Sequence, residues 1–223
     1  MPPDASSLSR IYDRRFDAAK REAKRRVWEA VVRHFLQRWI PRDAAVLDVG
    51  CGFGEFLNAV QCAVRVGIDL NPEVAGTLRQ GTEFHCRAAG DLGFLQSGRF
   101  DVAFTSNFLE HLPDKTSVEE LLSGIRRVLR PGGQLIAIGP NIRFLAGDYW
   151  DYWDHHVPLT DRSLVEALES LGFRILERRP RFLPYTIRSA LPHGQALVRW
   201  YLRLPWLWPI FGRQFLVRAS AEG

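Results

Sequence analysis

Short apolar runs alternate with longer segments of mixed polarity along most of this chain. Each run is five to seven residues long and is typical of a buried or half-buried strand. The predicted strands are Ala45–Val49, Val64–Leu70, Thr82–Arg87, Phe100–Ser106, Gln134–Gly139, Phe173–Arg179 and Gln214–Ala219. Because helical segments separate them, we predict an α/β fold in which helices cover both faces of a mostly parallel sheet.

The segments between the strands carry apolar residues at helical spacing. The longest covers residues 10–39, where one apolar stripe ends at Pro41. Asn71 followed by Pro72 is typical of another helix start, with Asn as the cap and Pro as the first helical residue. The remaining helices are predicted at Glu55–Gln61, Thr116–Leu129 and Asp161–Leu171. We therefore expect a helical extension, residues 1–41, and then one domain, residues 42–223.

The last two predicted strands are separated by a long insertion, Pro180–Arg213, which is rich in proline and tryptophan and has no acidic residue. A connection of this length within a compact domain usually has a function. Four interpretations are open at this point. The insertion could be a lid over an acceptor pocket, a peripheral membrane contact through residues 194–212, a homodimer contact, or a segment that packs against the N-terminal helix.

Composition and charge narrow the class of protein. Hydrophobic residues make up 46% of the chain, but none of the runs is long enough for a membrane-spanning helix, and the first residues lack the apolar centre of a signal peptide. The three cysteines have no paired spacing, so we expect reduced thiols, no metal site and a cytoplasmic protein, with membrane-surface association as an alternative. The net charge of +5 is concentrated at both ends of the chain, which fits either solvated helix faces or an anionic partner.

The stretch VLDVGCGFGE, residues 46–55, is the most informative motif. Three glycines alternate with other residues directly after the first strand, and such a turn lets the backbone approach a ligand closely. A dinucleotide site would require its third glycine at the position of Glu55, whereas this chain has Gly54 and therefore the pattern GxGxG. Asp69 ends the second strand, where a carboxylate can accept hydrogen bonds from both hydroxyls of a ribose.

With these motifs the chain resembles the class I S-adenosylmethionine-dependent methyltransferases, in particular their broad type 11 group. The resemblance covers about residues 45–179. It rests on DVGCGFG at 48–54, GIDLNP at 67–72, Asp91, FDVAFTSNFLEHLPD at 100–114 and LRPGGQLIAIGPN at 129–141. It implies a Rossmann-like three-layer sandwich whose seven-stranded, mostly parallel sheet has an antiparallel last strand. It also implies S-adenosyl-L-methionine as the cofactor.

The resemblance assigns the cofactor to residues at the carboxyl ends of the strands, where ligands bind in open α/β sheets. The glycine loop is implied to hold the amino acid end of the cofactor, Asp69 the ribose and Asp91 the adenine edge, although the sequence around Asp91 allows two registers. The full set of implied cofactor residues is Asp48, Gly50, Cys51, Gly52, Gly54, Asp69, Leu70, Asp91, Leu92 and Asn107.

The thirteen residues 148–160 follow the fifth strand and combine four aromatic residues, three carboxylates and two histidines. We expect this segment to lie over the methyl end of the cofactor, where aromatic faces can stack on sugar rings, quinones or bases. The predicted acceptor contacts are Tyr149, Trp150, Tyr152, Trp153 and His111. A hydroxyl acceptor also needs a general base. We expect His156, or else His155, in this role, with Asp154 as the orienting group; the alternative is helix capping and packing.

The segment after the fourth strand limits the acceptor. It reads Ser106–Leu109, without the Asn-Pro-Pro-Tyr or Asp-Pro-Pro-Tyr signature of amide and base-amine methylation. The leading hypothesis is a methyltransferase that methylates a hydroxyl of a sugar, a glycolipid precursor or another small, glycan or lipid-linked molecule. The basic N-terminal helix motivates RNA or protein as an alternative acceptor, although no RNA-binding module is appended. A non-catalytic cofactor-binding protein is the third hypothesis.

Overall fold

The computed structural model describes residues 18–185 and 195–222, and a seven-stranded sheet forms its centre. The strands are β1 Ala45–Val49, β2 Val64–Asp69, β3 Glu83–Cys86, β4 Phe100–Ser106, β5 Leu129–Pro140, β6 Phe173–Arg179 and β7 Gln214–Ala221. Their order in the sheet is β3-β2-β1-β4-β5-β7-β6, and β7 runs antiparallel to both of its neighbours. The prediction of a mostly parallel sheet with an antiparallel last strand is therefore confirmed.

Helices lie on both faces of this sheet. They are α1 Ala18–His34, α2 Glu55–Ala59, α3 Lys115–Val128, α4 Asp161–Ser170, α5 Gln195–Arg203 and α6 Trp208–Phe211. The side chain of Asp114 caps α3 by accepting a hydrogen bond from the backbone N–H of Ser117. Thr160 caps α4 in the same way through Ser163. These capping side chains fix where each helix begins.

Two apolar clusters separate the layers. Helices α3 and α4 pack on one face, where buried residues such as Leu121 and Leu164 contact the sheet. Helices α1, α5 and α6 pack on the other face, where Phe35 and Trp208 are buried against it. The resulting order of helix layer, sheet and helix layer is the three-layer sandwich that the sequence predicted.

Three local predictions differ from the structure. The helix expected after Asn71 is a short 3₁₀ segment, Pro72–Gly76, because Val74 is its one buried residue and a longer helix would lack an apolar stripe. The first helix ends at His34 rather than residue 39, and its predicted start, residues 10–17, lies outside the described residues. The turn expected at residues 130–133 belongs to the first part of β5.

The insertion between β6 and β7 leaves and rejoins the sheet at one edge. Gln214 at the start of β7 pairs with Pro140 at the end of β5, so this is the edge where β1, β4 and β5 also end. Within the insertion the Tyr201 hydroxyl donates a hydrogen bond to the carbonyl oxygen of Phe182, and the Trp208 indole donates to that of Tyr201. Part of the insertion is therefore core. None of the helices within the described ranges is long and apolar enough to cross a membrane.

Candidate active site

The glycine loop, residues 50–54, connects β1 to α2 at the carboxyl edge of the sheet. The backbone N–H groups of Gly50 and Cys51 both donate hydrogen bonds to the carbonyl oxygen of Ile68, which ties the loop to the end of β2. Gly50, Gly52 and Gly54 have φ angles of 70°, 52° and 74°. Side chains are disfavoured in this left-handed region, so all three positions favour glycine on backbone grounds alone.

The three glycines make room for different neighbours. A Cβ atom at Gly50 would lie 2.3 Å from the ring of Phe108, and one at Gly54 would lie 2.3 Å from Leu78. At Gly52, by contrast, the nearest heavy atom found would be a carboxylate oxygen of Glu55 at 3.7 Å. Two of the missing side chains therefore accommodate the protein's own packing. Among the described residues, the space beside Gly52 is the part of the loop left open to a ligand.

Three carboxylates, those of Asp48, Glu55 and Asp69, lie in or beside the glycine loop, and an oxygen of Glu55 is nearest to the open space. The two carboxylate oxygens of Asp69 accept hydrogen bonds from the N–H groups of Gly52, at 2.8 Å, and Asn71, at 2.9 Å. Asp48 is buried at the end of β1. Burial raises the pKa of Asp48 well above its usual value, and the charges of Glu55 and Asp69 raise it further. Burial also raises the pKa of Asp69 against the opposing effect of its hydrogen bonds. Such a cluster favours a ligand that carries positive charge and hydroxyl groups.

Helix α1 covers the outer side of the glycine loop. The Lys24 ammonium lies 3.0 Å from Glu55, the first residue of α2. The guanidinium carbon of Arg21 lies 4.1 Å from the ring centroid of Phe53 within the loop. Since these contacts join the N-terminal helix to the loop, α1 helps to shape this half of the site.

The remaining predicted cofactor residues lie in different environments. Cys51 is buried, and burial raises the pKa of its thiol. Leu70 is exposed next to Asp69, and Asn107 has a left-handed backbone conformation at the end of β4. Asp91 is exposed and lies 3.7 Å from Arg87 in an ion pair.

Leu92 differs from Asp91 in its burial. Its side chain is buried in the apolar cluster under α3, where a Cβ at Gly124 would contact it at 3.4 Å. The side chain therefore contributes to the core, and a contact of Leu92 with the cofactor stays a prediction.

A buried polar cluster forms the other half of the site. The Nδ1 atom of His111, just after β4, lies 2.9 Å from the carbonyl oxygen and 3.3 Å from a carboxylate oxygen of Asp154. Because these partners are acceptors, this nitrogen carries a proton and the other ring nitrogen, Nε2, is left as the basic atom of a neutral imidazole. The Nδ1 atom of His155 lies 3.0 Å from the carbonyl oxygen of Tyr149. The structure thus pairs Asp154 with His111, where the sequence analysis had paired it with His155 or His156.

The pKa values of His111 and Glu110 are both raised above their usual values. Burial lowers the pKa of His111, but the hydrogen bond to Asp154 and the charges of Glu110 and Asp154 outweigh it and raise the pKa above its usual value. Glu110 is buried beside it, and loss of water raises the pKa of this carboxyl group to about 7. The carboxyl group of Glu110 therefore exchanges protons near neutral pH, and the raised pKa of His111 strengthens this imidazole as a proton acceptor.

His156, the base preferred by the sequence analysis, is exposed. Its backbone N–H donates a hydrogen bond to the carbonyl oxygen of Glu110, at 2.8 Å. This bond fixes the chain so that His155 points inward and His156 outward. A half-buried histidine next to a buried carboxylate is a better candidate for a base than an exposed one, and His111 beside Asp154 has that position.

The four aromatic residues predicted to contact the acceptor differ in their burial. Tyr149 is fully buried and its hydroxyl donates a 2.6 Å hydrogen bond to the carbonyl oxygen of Val157, so it supports the loop and cannot face an acceptor. Trp150 and Trp153 are exposed. The ring of Tyr152 stacks on that of His155 with centroids 4.9 Å apart. Tyr185, which the sequence analysis missed, lies edge-on to Tyr152 at 5.8 Å; its position just after β6 was the available signal.

The same cluster could hold a metal ion. One ligand atom from each of Glu110, His111 and His155 lies within 4.8 Å of the other two. Carboxylate and imidazole are donors that divalent transition metals accept. The expectation of no metal site rested on the spacing of the cysteines and did not consider this set.

The sheet order and the glycine loop together define the fold of the class I S-adenosylmethionine-dependent methyltransferases. A solved structure of an S-adenosylmethionine-dependent methyltransferase from Archaeoglobus fulgidus superposes with a TM-score of 0.65 and 20% sequence identity, covering 88% of this chain and 94% of that one. A family model described as a methyltransferase domain matches residues 19–178. The chain therefore belongs to this methyltransferase family.

Two curated relatives extend the comparison. The chain is 30% identical over 195 residues to the demethylmenaquinone methyltransferase of Symbiobacterium thermophilum, with 78% of this chain and 71% of the relative covered. It is 31% identical over 122 residues to the ubiquinone biosynthesis O-methyltransferase of Aromatoleum aromaticum, covering 48% of this chain. The match spans about half the length of that second relative, 51%.

Proposed function

We propose that the protein transfers a methyl group from S-adenosylmethionine to a hydroxyl of a small or lipid-linked acceptor. The observation that carries this proposal is the open space beside Gly52, where Glu55 is the nearest side chain and Asp69 accepts a hydrogen bond from the Gly52 N–H, in a chain of the methyltransferase family. When bound there, S-adenosylmethionine supplies a methyl group on a positively charged sulfur. The residues described below would bind the two reactants, orient them and remove a proton.

The cofactor half of the site consists of the glycine loop and the ends of β1 and β2. We assign the ribose hydroxyls to Asp69, whose oxygens lie at the open side of the loop. The buried carboxylate of Asp48 and its neighbours favour the cationic end of the cofactor. The glycine backbone at Gly52 lets the ligand approach the loop without a side chain between them.

The base is His111 in this proposal. Asp154 holds its Nδ1 proton, so the opposite nitrogen can take the proton of the acceptor hydroxyl as the oxygen attacks the methyl group. Asp154 also stabilises the imidazolium that forms. Alignment of the two reactants supplies most of the remaining acceleration, since methyl transfer is a displacement along one line.

The acceptor would lie against Tyr152, Tyr185 and the exposed Trp153. These aromatic faces fit a flat or ring-shaped acceptor. A sugar or glycolipid hydroxyl meets this requirement, and so does a ring hydroxyl of the quinone class that the relatives are named for. The proposal includes both classes of acceptor. The N-terminal extension would cover the glycine loop through α1.

The cofactor assignment is tested by calorimetric titration with S-adenosylmethionine. Wild-type protein should bind it, and Asp69→Ala should weaken binding at least about tenfold, since a hydrogen bond to a charged group contributes roughly 1.5–3 kcal/mol. Asp43→Ala is the matched control, because Asp43 is exposed just before β1 at the opposite edge of the sheet. Absence of binding by the wild-type protein would refute the proposal.

The acceptor class is tested by transfer of a radiolabelled methyl group. The panel should include catechols and quinols, simple sugars, glycolipid extracts, RNA and protein. Label on a hydroxyl compound that depends on His111 supports the proposal. Label on RNA or protein would support the second hypothesis, and bound cofactor without any transfer would support the non-catalytic one.

A further inference from the structure

The outward side of α5 combines arginine with tryptophan. Ala196, Arg199, Trp200 and Arg203 follow one another at positions i, i+3, i+4 and i+7, and all four are exposed. Positions with this spacing lie on one stripe of a helix. The opposite stripe, which includes Tyr201, is buried against α1 and the core. The helix is therefore amphipathic, but its solvent side carries a large apolar ring among the charges.

The 3₁₀ segment Pro205–Leu207 and helix α6, which follow α5, also expose apolar side chains. Trp206 is 65% exposed, Ile210 58% and Phe211 44%, compared with 61% for Trp200. Trp208, between them, is buried and hydrogen-bonded. Trp208 is therefore part of the core, whereas Trp206 and Phe211 are exposed to solvent. We call the four exposed apolar residues, together with the two arginines of α5, the outer surface of the insertion.

The insertion itself carries charge of a single sign, and Glu29 of α1 is an acidic neighbour that accepts a hydrogen bond from Gln195 at the start of α5. Residues 180–219 contain six arginines and no aspartate or glutamate. The effect reaches α1, where burial lowers the pKa of His34 and the charges of Arg199, Arg33 and Arg203 lower it further. A binding partner for the outer surface must therefore be negatively charged and also accept apolar side chains.

These two requirements distinguish the partners that could bind. A second copy of this chain on the same surface would bring arginine against arginine, because a two-fold contact repeats one patch on both sides. A nucleic acid would satisfy the arginines but would leave Ile210 without an apolar environment. An anionic bilayer satisfies both, since tryptophan prefers the membrane interface and arginine the headgroups.

We infer that the outer surface of the insertion docks the protein on an anionic lipid bilayer. The docking does not depend on the proposed methyl transfer. The position in the fold adds a consequence, because the insertion begins beside the site. Tyr185 contacts Tyr152, and the guanidinium of Arg181 lies 4.1 Å from the ring centroid of Phe144 on the loop after β5. The carboxyl edge of the sheet would then lie close to the lipid.

Vesicle flotation of the full chain tests this inference. We expect binding to vesicles of phosphatidylcholine with about one quarter phosphatidylglycerol, and little binding to phosphatidylcholine alone. A double variant, Trp206→Ser with Ile210→Ser, should lower the partition coefficient at least about tenfold by loss of apolar burial. A second variant, Arg199→Gln with Arg203→Gln, should lower the partition coefficient by about tenfold or more. A higher salt concentration should weaken the binding of the wild-type protein in the same way.

Matched controls are Val64→Ser, an exposed apolar residue at the start of β2, and Arg42→Gln, an exposed arginine before β1. Both lie at the opposite edge of the sheet, so binding should be unchanged, and thermal unfolding checks that each variant is folded. No binding of the wild-type protein to anionic vesicles would overturn the inference. Binding of both double variants to anionic vesicles as strong as that of the wild-type protein would also overturn it. So would binding of the wild-type protein to an RNA oligonucleotide without binding to vesicles. Failure of methyl transfer would leave the vesicle result intact.

Discussion

Replacing Gly52 by alanine should separate ligand binding from folding in the glycine loop. The backbone at Gly52 has a φ angle of 52°, so an alanine there pays the cost of a left-handed conformation, about 1–2 kcal/mol. The new methyl group would contact the protein at 3.7 Å, an ordinary distance, and would otherwise occupy the open space. Cofactor binding should therefore fall more than stability does.

The magnitudes can be compared within this one chain. Gly98 has a φ angle of 67° and no heavy atom within 4 Å of an added Cβ, so Gly98→Ala measures the backbone cost alone. We expect both variants to lose about 1 kcal/mol in free energy of unfolding, after the gain from a less flexible unfolded chain is subtracted. Gly52→Ala alone should also raise the Kd for S-adenosylmethionine by at least about tenfold, or roughly 1.4 kcal/mol.

The assay combines urea unfolding with calorimetric titration of the same preparations. Gly50→Ala is the third member of the series, because its methyl group would collide with Phe108 and should lower stability more than the other two variants. A Gly52→Ala protein that binds the cofactor like wild type would refute the reasoning. It would show that the open space beside Gly52 is not where the cofactor lies.

The polar cluster supplies three more predictions. Asp154→Asn removes a charge that raises the pKa of His111, so kcat should fall on the order of tenfold or more. The acid limb of the pH profile of kcat/KM should move to lower pH. An acid limb that stays at the same pH would contradict the pairing of Asp154 with His111. The carboxyl group of Glu110 has a pKa of about 7 when folded against 4.5 ordinarily, so its contribution to stability is present below 4.5 and is lost as pH rises through 7. Glu110→Gln should remove this loss, about 3 kcal/mol, and urea unfolding at acidic and at alkaline pH measures it. EDTA should leave turnover unchanged, because the proposed base is a metal-free imidazole; activity that EDTA abolishes and Mg²⁺ restores would identify Glu110, His111 and His155 as ligands instead.

The positions of the strands along the chain and the glycine loop could be predicted because each depends on nearby residues. Asp48 and the three glycines lie within seven residues, and the backbone conformation that they adopt follows from local sterics. The packing partners of the glycines could not be predicted. Phe108 is more than fifty residues away in the chain, and its contact with Gly50 depends on how β4 lies beside β1.

The proposed base could not be found by the same means. His111 and Asp154 are 43 residues apart, and they meet because two loops end at the same edge of the sheet. The stretch after β5 contains two histidines, and its composition predicted a base there. Because inward and outward side chains alternate, His156 is exposed to solvent. Distance from the carboxyl end of β4 was a better guide, since His111 lies five residues beyond Ser106.

The position of β7 between β5 and β6 has a consequence for how the chain folds during synthesis. β6 pairs with β7 in the sheet, yet β7 comes later in the chain. While the ribosome is still making the insertion, β6 has no strand to pair with and the outer edge of β5 is exposed. The parallel part of the sheet can form early, but β6 can join it only when β7 has been made and pairs with β5. Folding of this protein is therefore expected to finish in a late step that follows synthesis of β7.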